Sequence, residues 1–222
     1  MKPLSLFCGL ALGLVLAASA PAALAHDADV SSSSAPAASS STAATAPKLH
    51  EAMRSLWHGH IVHTRAYTMA VKAGDQAAAK KAADDVVANA KQIAGAVAGF
   101  YGKPAGDQML TLLAGHWGGV KALADAAHSG DKAGEQKAMQ DLAANATAIA
   151  KFLSGANPNL PEATVESLMM MHVSDHQMHI GAIMAGNTAA EAKTWTHMQA
   201  HMNTIADALA GAIAKQFPAK AS

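Results

Sequence analysis

The chain predicts an all-α, up-and-down helical bundle built from three repeated helical hairpins, six helices in all, and three observations carry that expectation. From Leu49 onward the residues are mostly Ala, Leu, Met, Lys and Gln, good helix formers, with Gly, Pro and Asn collected at the breaks. Apolar residues recur at alternating steps of three and four, the spacing that keeps them on one helical face. Finally, Gly74, Gly130 and Gly186 stand 56 residues apart. The same shift carries His60 to His116 to His172, Asn89 to Asn145 to His201, and Ile93 to Ile149 to Ile205 without an insertion. A register that strict reads as internal triplication.

Taken in order, residues 1–25 read as a secretory signal peptide. Met1-Lys2 is a short positive start, Leu4 to Ala17 is an apolar run too short to prefer a membrane span, and Ala23-Leu24-Ala25 supplies the cleavage site. Periplasmic or secreted localisation follows as an expectation. The single cysteine, Cys8, lies inside this leader, behind Phe7 rather than the small residue of a lipoprotein signal. The mature chain therefore offers no disulfide, thiolate ligand or C-x-x-C-H haem attachment. Residues 26–47 are Ala, Ser, Thr and Pro, a tether with nothing to bury. Its one chemical feature is the exposed N-terminal His26, which cleavage alone accounts for.

The bundle domain spans 48–218, in repeats of about 48–102, 103–158 and 159–218. Helices are expected over 48–73, 75–99, 106–129, 131–154, 161–185 and 188–216. The first is set by Leu49, Met53, Leu56, His60, Tyr67 and Val71, and the second by Val86, Asn89, Ile93 and Val97. The third follows Leu112, His116, Val120 and Leu123, and the fourth Leu142, Asn145, Ile149 and Leu153. The fifth follows Val165, Leu168, His172, His176, His179 and Ile183, and the sixth Met198, His201, Ile205 and Leu209. Gly74-Asp75, Gly130-Asp131 and Gly186-Asn187 give each hairpin a left-handed C-cap and then a polar N-cap. Gly102 to Gly106 and Gly155 to Asn159 separate the hairpins.

The register also places the polar residues. His60, His116 and His172 lie 14 residues before their turn glycine, and Asn89, Asn145 and His201 lie 15 after it. Both sets therefore stand roughly 21 to 23 Å from the turns at 1.5 Å per residue, and each falls in its helix's apolar stripe. All six are expected in one inward-facing layer. A second set, His63, His176 and His197, sits about one turn nearer the loops. His172 and His176, like His197 and His201, are i, i+4 pairs able to share one ion.

Buried imidazoles cost on the order of 1 to 3 kcal/mol for each unsatisfied group. Two arrangements remove that cost: a hydrogen-bonded layer with Asn89 and Asn145 bridging the rings, or a metal ion bound by neutral imidazole nitrogens. Four histidines at repeat-related positions favour the ion. The expected ligands are His60, His116, His172 and His201, with His176 and His197 secondary. Met169, Met170, Met171, Met178, Met198 and Met202 add soft sulfur, although methionine at this spacing also simply fills cores. His58 falls off the face of His60, and His50 and His128 sit at helix ends.

Carboxylates are scarce near the layer, Asp175 being the acid within a turn of His172, and no Glu-x-x-His pair of a di-iron bundle occurs. No phosphate loop, nucleophile elbow or His-Glu-x-x-His sequence is present. Copper fits best and zinc second, with nickel behind. Non-covalent haem is a rival, though 4% aromatic residues leave few flat walls for a porphyrin. With 16 basic and 16 acidic residues and no basic cluster, nucleic acid is excluded as a partner, and after signal removal no apolar run remains for membrane insertion.

The residues Leu56-Trp57, His60, Thr64-Arg65, Phe100-Tyr101-Gly102, His116, Phe152 to Pro158, His172, His201 and Lys215-Gln216-Phe217-Pro218 resemble a family of uncharacterised bacterial exported helical-bundle proteins with recurring core histidines, over roughly 49–218. The resemblance implies the fold and the histidine positions and no activity. Members of that family usually carry an acid beside the matching histidines. Here His58, Gly115 and Met171 stand there, which points to imidazole or soft ligation. The expected function is binding, buffering or sensing of a transition metal rather than turnover. The rivals are a small redox or haem protein and a stress-related scaffold with a hydrogen-bonded histidine layer.

Overall fold

Three copies of one hairpin, each too narrow to bury its own apolar face, solve that problem by closing into a ring. The computed structural model describes residues 46–221. The expected leader, its cleavage site, His26 and nearly all of the 26–47 linker lie outside the described residues. Helices α1 (Pro47–Ala73), α2 (Gln76–Tyr101), α3 (Lys103–Ser129), α4 (Lys132–Ala156), α5 (Glu162–Met184) and α6 (Thr188–Gln216) run alternately up and down. A short α7 (Pro218–Ala221), not expected from the sequence, follows Phe217. No strand occurs among the described residues, and no helix there is long and apolar enough to cross a membrane.

Each hairpin turn is built as its residues dictate. Gly74, Gly130 and Gly186 take φ of 71°, 74° and 67°, the left-handed conformation that a side chain disfavours. The next residue then caps the following helix: Asp75, Asp131 and Asn187 accept from the backbone N–H of Ala78, Gly134 and Ala190. The first break between hairpins is shorter than expected. α3 begins directly after Gly102, because Pro104 is tolerated in a helix's first turn, where its missing N–H costs nothing.

The helices pack as two nested sets. α2 lies between α1 and α3, α4 between α3 and α5, and α6 between α5 and α1. The odd-numbered helices also touch one another, so they form the inner set. Around it, Ile61, Val86, Val120, Leu123, Leu142 and Ile205 are no more than 2% exposed. One end of the bundle is tied by Tyr101, whose hydroxyl donates to Gln216 Oε1 at 3.0 Å and accepts from Asn157 Nδ2 at 2.9 Å. Phe217 packs edge-on against the Tyr101 ring at 5.0 Å. The segments around 101, 157 and 217 are thus held together by one polar and aromatic cluster.

Candidate metal centre

Because α1, α3 and α5 line the axis in the same direction, equal positions in the repeat arrive there at equal height. His60, His116 and His172 do so. Their ring centroids are 5.5 Å (60 to 116), 5.7 Å (60 to 172) and 5.4 Å (116 to 172) apart. His176 joins from one turn above, with its Nε2 3.0 Å from Nε2 of His172 and its ring 5.8 and 5.4 Å from His60 and His116. One nitrogen from each of the four rings falls within 4.8 Å of the others. The rings are 2 to 5% exposed.

Burial sets the electrostatics. Loss of hydration lowers the pKa of His60 to about 3 and of His116 to about 4, and the neighbouring imidazoles lower that of His60 further. His172 and His176 are pushed well below the ordinary histidine value, first by the same burial and then by neighbouring imidazoles, those of His176, His116 and His60 acting on His172 and those of His116, His60 and His179 on His176. All four are therefore neutral at pH 7, the form that offers a lone pair to a metal. Hydrogen bonding does not use them up. His60 Nε2, both nitrogens of His116 and His172 Nδ1 make no well-formed hydrogen bond, and neither does Trp57 Nε1, although the Asn145 amide near His116 offsets part of the fall in its pKa.

The expected sixfold layer is corrected at the even-numbered helices, which pack in the outer grooves and whose Asn89, Asn145 and His201 bond within their own hairpins instead of joining the four rings. Asn89 Nδ2 donates to the Leu56 carbonyl and Asn145 Nδ2 to that of Leu112, each at 3.0 Å. His201 does the same in the third repeat, its Nε2 donating to Leu168 at 2.9 Å. So His201 fastens α6 to α5 where the asparagines fasten α2 to α1 and α4 to α3. It does not enter the cluster, and His176 takes the place expected for it. A side-chain amide can come that close because Gly59 and Gly115 face it; a Cβ on either would stand 2.9 Å from the Asn nitrogen. The third repeat has Met171 at that position and the longer imidazole across from it.

His197 also stays outside. Its side chain is 55% exposed, and its Nδ1 donates to Oδ1 of Asp175 at 2.9 Å. The equivalent pair in the first repeat is His63 and Asp85, at 4.0 Å, with acid and base exchanged between helices. Asp175 is 1% exposed, and its Oδ2 has no partner. His179, one turn above His176, donates to Glu191 Oε1 at 3.0 Å, stacks on Trp195 at 5.4 Å, and shares Glu191 with Arg65. Glu191, Arg65 and Trp195 were not legible as a group, since no spacing links α1 to α6. His50 bonds Asp207 at 2.9 Å, so it is partnered rather than merely solvated as its place at a helix end suggests, whereas His58 and His128 are exposed.

Beside the rings, on the side away from the hairpin turns, lies a cavity of about 20 Å³. His60, His116 and His172 line it together with Trp57, Met169 and Met202. That is room for one small ion or one water. A tetrahedral imidazole site needs nitrogens roughly 3.3 Å apart for a metal–nitrogen distance of about 2.0 to 2.1 Å. The His172–His176 pair, at 3.0 Å, is already near that spacing, and His60 and His116 each bring a nitrogen within 4.8 Å of the others. The four residues thus fit a metal ion in number, burial and protonation state. Compared with known proteins, the chain matches no family model, no curated protein and no solved structure, so the site is read from its own chemistry.

Proposed function

We propose that this protein binds one transition-metal ion, copper first and zinc second, through His60, His116, His172 and His176. The observation that supports the reading best is the set of four neutral imidazoles, with one nitrogen of each within 4.8 Å of the others, in which His60 Nε2, both nitrogens of His116 and His172 Nδ1 are left without hydrogen-bond partners. Four imidazoles in an apolar core cost stability, and a metal that takes their lone pairs offsets that cost. The lack of a cysteine beyond Cys8 of the expected leader and of a Glu-x-x-His pair argues for buffering or sensing of the ion rather than dioxygen chemistry at a carboxylate site. With the leader read from its sequence, the place of action is the periplasm or the exterior.

A second reading is a structural polar layer bridged by water. The unpartnered Trp57 Nε1 and the size of the cavity favour it. One buried water makes about three hydrogen bonds, fewer than the five orphaned atoms around it. Titration with copper and with zinc separates the two readings. His116→Ala is expected to lose affinity and His128→Ala, on the surface, to keep it; equal affinities for both variants contradict the proposal.

A further inference from the structure

The histidine cluster is nearly symmetric, but the cavity beside it is not. At the level just below the rings the repeat places Trp57, Leu113 and Met169, and on the outer helices Ala90, Ala146 and Met202. At that level the first two repeats supply only carbon apart from the Trp57 indole. The third supplies two thioethers, Met169 and Met202, which are 7% and 2% exposed and line the cavity with His60, His116 and His172. Alanine stands at the two other positions equivalent to Met202. A long thioether there is a departure from the repeat, and it points into the same space as the imidazoles.

Charge decides which ion suits that space. Asp175, the buried acid next to His176 in sequence, has its Oδ1 engaged by His197 and is not among the groups within reach of a shared ion. Four neutral imidazoles and two neutral thioethers leave the full charge of the ion uncompensated in an apolar core. A monovalent ion costs far less to bury there than a divalent one. A soft ion also gains from sulfur, which a hard or borderline ion does not prize.

We infer that the cavity makes this a copper(I) site, with Met169 and Met202 adding thioether ligation to the imidazoles and selecting the reduced ion over zinc. The inference rests on the proposed metal-binding function and goes beyond it in naming oxidation state and sulfur ligands. No redox step is needed, because the ion enters and leaves as copper(I).

The test is an anaerobic competition titration of the full chain with copper(I) and, separately, with zinc(II). It compares the natural protein with Met169→Leu/Met202→Leu, a volume-conserving change. The double variant is expected to lose about tenfold or more in copper(I) affinity while zinc affinity stays within about threefold. X-ray absorption at the copper edge of the natural protein reports on the same point without any variant, and a sulfur shell is expected. An unchanged ratio of the two affinities, or a copper shell of nitrogen alone, overturns the thioether assignment and leaves metal binding standing. A natural protein that binds neither ion overturns both.

Discussion

The Nε2 atoms of His172 and His176 face each other across 3.0 Å, one turn apart on α5. In that position the second repeat has Val120 and the first Thr64, so His176 is the third repeat's own addition to a threefold theme. It turns three converging rings into four. His176→Val restores the residue of the second repeat and keeps the packing. It is expected to cut metal affinity by about tenfold or more, while His197→Ala changes it by less than about threefold. Calorimetric titration of the two variants side by side checks this.

Protonation gives a second expectation. The folded-state pKa values of His60 and His116 are lowered to about 3 and about 4, and His172 and His176 are lowered too, whereas the unfolded chain titrates near the ordinary histidine value of about 6.5. Below 6.5 the unfolded state binds more protons than the native one, so stability is complete above that pH and falls as acid is added. Each histidine held neutral costs up to about 1.4 kcal/mol per pH unit on the way down to its folded pKa. Urea unfolding of the metal-free protein is expected to show a much lower midpoint at pH 5 than at pH 7.5, roughly, with the difference shrinking when the four histidines become Leu or Val. Equal midpoints contradict neutral burial of the cluster.

His201 is expected to matter for stability and little for metal. His201→Ala removes the bond to the Leu168 carbonyl and costs about 1 to 2 kcal/mol, with metal affinity nearly unchanged. His201→Asn alone does not rescue, because the asparagines of the other repeats need a glycine opposite them. Met171→Gly together with His201→Asn recreates the geometry of the first repeat and is expected to recover part of the loss, less about 1 kcal/mol for a glycine inside a helix. Thermal unfolding of the three variants reads the outcome.

Much of this was legible from residue spacing. A 56-residue register and the turn glycines dictate three hairpins and put His60, His116 and His172 at one depth, because helical rise is the same in every copy. The register is silent on which of two antiparallel partners lies inside. Asn89, Asn145 and His201 share the histidines' level and their apolar stripe, and yet they end in the outer grooves, since a stripe facing a neighbouring helix looks the same in sequence as one facing the axis. For the same reason His176 reads in sequence as a secondary ligand, an i, i+4 partner of His172, and not as a full member of the cluster. The links of Arg65 to Glu191 and of His50 to Asp207 join helices distant in sequence and leave no periodic trace.

The exchanged pair gives a prediction about α5 and α6. Asp175 is buried with one oxygen unpartnered, and His197 supplies the bond to the other. His197→Ala is expected to destabilise the protein by about 2 kcal/mol, because it leaves a buried carboxylate without its donor. Asp175→Asn added to that variant removes the charge and is expected to recover most of the loss. Chemical denaturation of the single and double variants measures both, and a double variant no more stable than His197→Ala contradicts the pairing.

The central claim is that four neutral rings on the axis hold an ion. Its most direct test is elemental analysis of the full chain after loading with copper or zinc and desalting, beside a variant in which His60, His116 and His172 are Leu and His176 is Val. The natural protein is expected to retain about one equivalent and the variant, still helical by circular dichroism, less than about a tenth. Retention below about a tenth of an equivalent by the natural protein, or equal retention by both, contradicts the claim.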